Sequence, residues 1–374
     1  MTIVLRSWEK LAEQYMDSEN TDEVQSTLCQ RWHYENGCIM KAFLAIWETK
    51  KDDRYLTFVS TCIANLVTDS GNIRGYQLEA FNLDNINEGK ILFDVFGVTG
   101  DERYRIAIET LVRQMEFQPK TSSGGYWHKK IYPNQMWLDG IYMSGPFLAR
   151  YAATFDCARW FDVVVDQIRL IHKNTWDPVT GLNYHAWDET RQQLWANPVT
   201  GCSPHFWGRA IGWFLMAVVD VLEYLPEKHN GREDLKHILY ELSNSILTIQ
   251  NSTTGLWNQV LNQQEDKDNY AEASCSSMFV YGISKGIRMG ILPLIWRNNV
   301  IKAYEGIINY LIKLDNDGKT VHLTGCNAVA GLGGHPYRDG SLHYYLSEPI
   351  VNDDPKAVAA FIMASLEMEK SEYC

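Results

Sequence analysis

The chain has 374 residues and a formal net charge of −12. This length exceeds that of a typical domain and suits either two domains or one large closed architecture. The negative charge disfavours a nucleic-acid partner, and no run of eighteen apolar residues indicates a membrane span. The first twenty-five residues also lack the apolar run of a signal peptide, so the sequence predicts a cytoplasmic protein.

The eight cysteines occur without a C-x-x-C motif and without paired spacing. This pattern argues against a structural zinc site and a disulfide framework, so we expect reduced, mostly buried thiols. The sequence also lacks the common zinc-protease and nucleotide-binding motifs, and we expect no metal and no cofactor. The 13 Trp, 20 Tyr and 13 Phe offer flat faces that could line a pocket for sugars as well as a core.

Hydrophobic periodicity predicts twelve helices along the chain. They fall at residues 3–17, 35–48, 53–67, 84–96, 102–117, 138–153, 157–172, 205–224, 233–250, 272–288, 297–313 and 355–369. Some of them, such as 102–117, are amphipathic with charged faces, which is typical of an outer layer. Others, such as 205–224, are rich in small, aromatic and apolar residues, so we expect neighbouring elements to enclose them.

Internal repeats indicate how these helices are arranged. The turn-like segments 47–55, 96–104 and 151–160 recur with a period of about fifty to fifty-five residues, which indicates stacked helix pairs. Glycine followed by aromatic residues predicts a turn with a short strand between the pairs. Such segments occur at 122–128, 178–187 and 252–260.

Six such pairs, with outer and inner helices alternating, would close into an all-α (α/α)6 barrel. We expect a single domain that comprises residues 1–374, because no Pro/Gly-rich linker divides the chain. An open α-solenoid is the alternative, but it predicts uniform pairs with short connections. The connections at 173–204 and 314–353 reach about thirty residues, a length that is usually functional in compact proteins.

Two aspartates occupy equivalent positions in this repeat. Aligning residues 82–89 with 137–144 places Asp84 and Asp139 at the start of successive inner helices, so both should face the same end of the barrel. Both could simply be N-caps, because helix N-termini stabilise carboxylates. Asp139, however, follows Met136, Trp137 and Leu138, and apolar surroundings of this kind would raise its pKa and suit a general acid. Asp84 lies among asparagines in a more polar setting.

The fourth inner helix carries Arg209 and Trp213, four residues apart and hence on one face. A guanidinium beside an aromatic ring could hold a sugar that bears a carboxylate. The alternative is an arginine paired with one of the aspartates and a tryptophan in the core. His185 adds an imidazole, although an isolated histidine is as often structural as catalytic. Further candidates for substrate contacts are His128, Trp137, Trp32 and Tyr34.

Several segments together resemble the unsaturated rhamnogalacturonyl hydrolases, glycoside hydrolase family 105. The resemblance extends from about residue 30 to the end of the chain, and the MWLDG and FWGRAIGW motifs are its specific parts. It is carried by residues 31–37, 83–93, 124–147, 180–189, 195–213 and 331–361. The resemblance implies an (α/α)6 barrel and removal of a 4,5-unsaturated galacturonyl residue, typically from rhamnose, in oligosaccharides made by lyases.

The resemblance also implies a hydration mechanism. Asp139 would protonate C4 of the unsaturated sugar and activate the water that adds at C5, and the resulting hemiketal would open and expel the remaining sugar. Asp84 would assist Asp139. His185, Arg209 and Trp213 would shape the subsite for the unsaturated uronate.

Other functions remain open at this point. Leu342 and His343 replace a Tyr-Glu pair of the family, so the sequence leaves the leaving sugar undefined. The related unsaturated glucuronyl hydrolases act on glycosaminoglycan fragments by the same chemistry. A conventional inverting glycosidase would instead use Asp84 with Asp139 or Glu272 as base and acid. A sugar epimerase that depends on histidines and a glycan-binding protein without catalysis are the remaining alternatives.

Overall fold

The computed structural model describes residues 7–20, 28–316 and 318–372, without the side chains of residues 18–20, 371 and 372. Its helices are α1 (Ser7–Asn20), α2 (Tyr34–Lys50), α3 (Asp53–Leu66), α4 (Asp84–Asn87), α5 (Gly89–Thr99), α6 (Glu102–Phe117), α7 (Leu138–Thr154), α8 (Arg159–Thr175), α9 (Gly208–Tyr224), α10 (Arg232–Thr248), α11 (Ala273–Arg288), α12 (Arg297–Gly306), α13 (Leu342–Ser347) and α14 (Pro355–Glu372). None of these helices is long and apolar enough to cross a membrane.

The strands are short and form two-stranded antiparallel sheets. They are β1 (Gln135–Trp137), β2 (Trp176–Asp177), β3 (Leu182–Asn183), β4 (Ala186–Asp188), β5 (Ile312–Leu314), β6 (Val321–Leu323), β7 (Cys326–Asn327) and β8 (Ile350–Val351). β1 pairs with β4, β2 with β3, β5 with β6, and β7 with β8. The predicted strand in the segment 178–187 is confirmed, since β3 and the start of β4 lie there.

Six helical units form a closed inner ring. α2 packs against α4 and α5, which pack against α7; α7 contacts α9, α9 contacts α11, α11 contacts α14, and α14 returns to α2. α1, α3, α6, α8, α10 and α12 lie outside this ring, each against an inner helix. The predicted (α/α)6 barrel is therefore confirmed.

Burial explains which helices lie inside. Every residue of α9 from Gly208 to Leu222 is buried, and so is every residue of α11 from Ala273 to Gly286. A helix that is apolar on most sides requires neighbours all around it. By contrast α8 buries one face, which carries Trp160, Val164 and Ile168. The two kinds of helix in the sequence thus separate into the two layers of the barrel.

The repeated turns are helix boundaries with a common geometry. Lys51 (φ 58°) and Gly100 (φ 64°) end α2 and α5 in the left-handed conformation, which costs glycine little. The next residues, Asp52 and Asp101, are N-caps whose side chains accept from Arg54 N–H and Arg103 N–H at 3.1 and 3.0 Å. The recurrence at 47–55 and 96–104 therefore reflects one way of turning from an inner to an outer helix.

The predicted helix boundaries differ from the structure in a few places. The helix expected at 3–17 corresponds to α1, and residues 3–6 lie outside the described part of the chain. The helix expected at 84–96 is divided at Glu88 into α4 and α5, and the one expected at 297–313 gives way to a π-helical turn at Ile307–Leu311 and then to β5. The short helix α13 was not predicted.

The expectation that all cysteines are reduced is wrong. Cys29 and Cys62 form a disulfide that joins the segment before α2 to α3. The separation of 33 residues gave no sign of this pairing in the sequence. The free cysteines of the described residues are mostly buried, as predicted, and Cys374 lies outside the described residues. These free cysteines are Cys38, Cys157, Cys202, Cys275 and Cys326.

Candidate active site

A cavity of about 1010 Å³ contains most of the predicted site residues. Its volume is at the upper end of that of typical small-molecule sites. Of the nine predicted side chains, all but His185 line it. These are Asp84, Asp139, Arg209, Trp213, Trp137, His128, Trp32 and Tyr34. The structure thus places both aspartates on the wall of the same cavity.

The β1–β4 ladder positions Asp139. Met136 pairs with Trp187 in this ladder, and the Leu138 N–H donates to the His185 carbonyl at 3.0 Å. Asp139 follows as the second residue of α7. The N-cap of α7 is Trp137, in extended conformation and without a side-chain cap, so Asp139 is not an N-cap.

Asp139 contacts His185 inside the wall of the cavity. Oδ2 of Asp139 lies 3.2 Å from Nε2 of His185, and the Asp139 side chain is 14% exposed. Neither atom makes a well-aligned hydrogen bond with any residue that the structure describes. The carboxyl group therefore has an imidazole, but no lysine or arginine, as an ion-pair partner within the described residues.

His185 is completely buried and lies behind Asp139, away from the cavity surface. Its Nδ1 is 2.8 Å from the hydroxyl of Tyr345, which is also fully buried. Its ring centroid is 4.8 Å from that of Trp207 and 5.3 Å from that of Trp137. These contacts fix the orientation of the imidazole, so His185 can act on Asp139 but does not reach the cavity surface.

Asp84 has a different electrostatic environment. As the first residue of α4 it follows the N-cap Leu83, so it is not an N-cap either. Its Oδ2 lies 2.5 Å from Nζ of Lys129, and its Oδ1 lies 3.5 Å from Nε2 of His128. Burial raises the pKa of Asp84, but the positive charge of Lys129 outweighs this effect and the net pKa is lowered. Burial lowers the pKa of His128 to about 4. At neutral pH, Asp84 is therefore an anion paired with a lysine.

Aromatic rings form much of the cavity wall. The ring of Trp137 stacks with His128 at a centroid distance of 4.6 Å and with Tyr132 at 5.1 Å. Trp213, which is 2% exposed, stacks with Tyr142 at 4.6 Å. Flat apolar faces of this kind suit the faces of a pyranose ring.

Trp32 and Tyr34 extend the wall toward the start of α2. The indole Nε1 of Trp32 donates to the carbonyl of Asn85 at 2.8 Å, and the Tyr34 hydroxyl donates to Glu35 at 3.2 Å. Burial raises the pKa of Tyr34 well above its ordinary value. Trp32 is therefore fixed to α4, the helix that carries Asp84.

Arg209 lines the cavity but uses most of its donors within the protein. Its Nε donates to Ser274 at 2.7 Å, its Nη2 lies 3.3 Å from Glu272, and it also donates to the carbonyls of Asn327 and Ala328. The side chain is 1% exposed. The alternative interpretation, in which Arg209 pairs with one of the two aspartates, is therefore wrong, because its ion-pair partner is Glu272.

Glu272, the alternative second acid of an inverting mechanism, does not line the cavity. It is fully buried as the N-cap of α11, and its Oε2 accepts from the Cys275 N–H and the Ser274 hydroxyl, both at 2.7 Å. These contacts and Arg209 engage both of its oxygens. The structure gives Glu272 a role in fixing the start of α11.

Some site residues were missed by sequence reasoning. Arg338 lies on the cavity wall, where its Nη2 donates to Tyr132 at 3.0 Å and its Nε to the Gly333 carbonyl at 2.9 Å. Lys356, at the start of α14, lies 2.5 Å from Glu35 of α2. The available signal for Arg338 was its place in the segment 331–361, which carries part of the resemblance to family 105.

Comparison with known proteins identifies the family. The profile of Glycosyl Hydrolase Family 88 matches residues 7–372. A glycoside hydrolase from family 105 of Clostridium acetobutylicum ATCC 824 is 42% identical to the chain, with a TM-score of 0.92 over 96% of this chain and 99% of that one. This match confirms the resemblance to family 105.

Two further relatives are more distant. Unsaturated rhamnogalacturonyl hydrolase YesR of Bacillus subtilis is 24% identical over 338 residues, 85% of this chain and 89% of that protein. The unsaturated glucuronyl hydrolase of Bacillus sp. GL1 shares the fold at 12% identity, with a TM-score of 0.67 over 98% of this chain and 95% of that one. Because the family profile matches residues 7–372, the chain is a glycoside hydrolase that belongs to glycosyl hydrolase family 88.

Proposed function

We propose that this enzyme removes a 4,5-unsaturated galacturonyl residue from the non-reducing end of lyase-generated rhamnogalacturonan oligosaccharides by hydrating the C4=C5 double bond. The observation that carries the proposal is the unequal environment of two carboxyl groups on one cavity wall. Asp84 is paired with Lys129, whereas the ion-pair partner of Asp139 within the described part of the chain is His185, an imidazole. Two carboxyl groups in such different surroundings suit different roles: Asp139 donates and accepts the proton, and the anionic Asp84 stabilises positive charge.

In this mechanism Asp139 enters the reaction protonated. It transfers its proton to C4 of the enol ether, and positive charge develops at C5 and on the ring oxygen. The Asp139 carboxylate then takes a proton from the water that adds at C5, which regenerates the acid. The hemiketal at C5 opens to a ketone, and the hemiacetal left at C1 releases the remaining sugar.

The other residues orient the substrate. The anionic Asp84 lies on the same wall as Asp139 and would stabilise the positive charge that develops on the sugar ring. Trp213 and Trp137 line the cavity and would contact the sugar ring. Arg338 has no carboxylate partner among the described residues, so it supplements Arg209 as a partner for the carboxylate of the uronate.

One experiment tests the reaction and the substrate together. The protein is incubated with lyase-digested rhamnogalacturonan, with lyase-digested chondroitin and with saturated nitrophenyl glycosides, in heavy water. We expect loss of the near-ultraviolet absorbance of the enol ether in the first digest and one deuterium at C4 of the product. Activity on chondroitin fragments alone would indicate a glucuronyl hydrolase. Cleavage of a nitrophenyl glycoside without such labelling would indicate a conventional glycosidase.

The proposal includes a single catalytic domain and a cytoplasmic location. The closure of the ring between α2 and α14 supports the first, because the barrel requires helices from both ends of the described chain. The Cys29–Cys62 disulfide argues against the cytoplasmic location, because stable disulfides are rare in cytosolic proteins. Fractionation of cells with immediate thiol trapping tests the location and the state of these two cysteines together.

A further inference from the structure

Of the six lysines and arginines that line the cavity among the described residues, three are paired with an acid of the protein, and Arg338 is hydrogen-bonded to Tyr132 and Gly333. The ion pairs are Lys129 with Asp84 at 2.5 Å, Lys356 with Glu35 at 2.5 Å, and Arg209 with Glu272 at 3.3 Å. Arg31 and Arg74 differ from these. Both line the cavity and both are exposed, and neither side chain forms a hydrogen bond or ion pair with any residue that the structure describes.

The backbone holds these two arginines in place. Arg31 directly precedes Trp32, whose indole is bonded to the Asn85 carbonyl. The Arg74 N–H donates to the Leu66 carbonyl at 2.8 Å, at the end of α3. The Cys29–Cys62 disulfide joins the segment that carries Arg31 to α3. The segments of both arginines are therefore connected through one helix.

The exposure of Arg31 and Arg74 indicates which part of the substrate these two arginines contact. Trp213 is 2% exposed and Asp139 14% exposed, so the reacting end of the sugar must enter the cavity deeply. Arg31 and Arg74 are exposed at the mouth. An oligosaccharide whose non-reducing end reaches Asp139 therefore extends its leaving portion past these arginines.

We propose that Arg31 and Arg74 form a subsite for a second anionic group on the leaving portion of the substrate. That group is the carboxylate of a further uronate or a sulfate ester, since guanidinium groups bind both in the same way. A protein with a net charge of −12 repels anionic oligosaccharides, and two unpaired arginines at the mouth oppose this repulsion locally. The inference rests on the proposed function, which brings an unsaturated uronate to Asp139.

Purified substrates of two lengths test this subsite. One is the disaccharide of unsaturated galacturonate and rhamnose, and the other is the tetrasaccharide with a second galacturonate. We expect a higher kcat/KM on the tetrasaccharide at low salt and a smaller preference as ionic strength rises. In Arg31→Gln or Arg74→Gln the ratio of the two kcat/KM values should fall about 2- to 5-fold, as for exposed ion pairs. Arg74→Lys should retain most of the ratio.

Arg113→Gln provides the matched control, because Arg113 is exposed on α6 and does not line the cavity. Sulfated and unsulfated unsaturated chondroitin disaccharides distinguish a sulfate ligand from a carboxylate ligand. If a variant with both Arg31→Gln and Arg74→Gln keeps the parent ratios on both substrate pairs while the tetrasaccharide is still consumed, the subsite is disproved and the proposed function stands. If the parent enzyme consumes none of these substrates, both proposals are overturned.

Discussion

The hydroxyl of Tyr345 lies 2.8 Å from Nδ1 of His185, across 160 residues of sequence. The other nitrogen of the same ring lies 3.2 Å from Oδ2 of Asp139. One imidazole therefore connects a buried phenol to the carboxyl group that we propose as the proton donor. This arrangement makes His185 and Tyr345 positioning residues, which act on the substrate through Asp139.

Replacing Tyr345 with Phe should lower kcat while leaving KM nearly unchanged. The change removes one hydrogen bond to His185, worth about 1 kcal/mol, so we expect kcat to fall about 5-fold or more. The pH–rate profile should also shift, because the change frees the imidazole that contacts the proposed proton donor. Equal pH profiles for the parent and a folded Tyr345→Phe variant would show that Tyr345 has only a packing role. Tyr344→Phe is the matched control, because the Tyr344 hydroxyl accepts from the Gly331 N–H at 3.0 Å, whereas the Tyr345 hydroxyl is the one that contacts His185.

The substitution Asp139→Asn should abolish hydration. Asparagine has nearly the same shape as aspartic acid, but its amide cannot act as a proton donor to carbon. We therefore expect kcat to fall about 10²- to 10⁴-fold, the usual contribution of a general acid. The measurement is the loss of near-ultraviolet absorbance of the unsaturated substrate, with circular dichroism to verify folding. Retention of more than a tenth of the activity in the folded variant would contradict the role of Asp139 as proton donor.

His128 should make the fold sensitive to acid. Its pKa is lowered from 6.5 to about 4 by burial, so between these values the unfolded chain binds more protons at this residue than the folded one. The free energy of unfolding should therefore fall as the pH is lowered from 6.5 to 4, by up to about 3 kcal/mol from this group. Its contribution is fully present above pH 6.5.

Urea unfolding at several pH values measures this effect in the parent, in His128→Gln and in His237→Gln. His237, whose side chain is 68% exposed, is the control. We expect a smaller loss of stability at acid pH in His128→Gln alone. An unchanged pH dependence in that variant would show that other groups cause the acid sensitivity.

Arg209→Met should destabilise the fold strongly. It removes the partner of Glu272, a fully buried carboxylate, and breaking a buried pair on one side costs about 3 to 5 kcal/mol. Adding Glu272→Gln should recover part of this loss in denaturant unfolding. A variant with parental stability and a raised KM would instead show that Arg209 serves mainly as a substrate contact.

Loss of the Cys29–Cys62 disulfide should also lower stability. For its separation of 33 residues, the chain-entropy relation gives about 3 to 4 kcal/mol. Cys29→Ser should therefore unfold at lower denaturant concentration than the parent under oxidising conditions and match it in dithiothreitol. Cys157→Ser, at a partly exposed free cysteine, should behave like the parent in both conditions.

Local patterns predicted the layers of the barrel and the shared cavity of Asp84 and Asp139, because helical periodicity and the repeat are encoded in neighbouring residues. Contacts between residues far apart in the chain leave no such local pattern in the sequence. The pairing of Arg209 with Glu272 depends on how α9 packs beside α11, and the contact of His185 with Tyr345 depends on where α13 lies relative to the segment before β4. The sequence therefore identified His185 as a site residue but could not show that it lies behind the cavity wall.

The contact between α2 and α14 determines when the cavity can form during synthesis. Glu35 near the start of α2 meets Lys356 near the start of α14, so one side of the cavity joins segments 321 residues apart. While α14 is still within the ribosome, a growing chain has an open arc of helices whose first and fifth inner members lack a neighbour. We expect such a chain to depend on chaperones until its last helix emerges, and premature termination before residue 355 to leave an inactive product prone to aggregation.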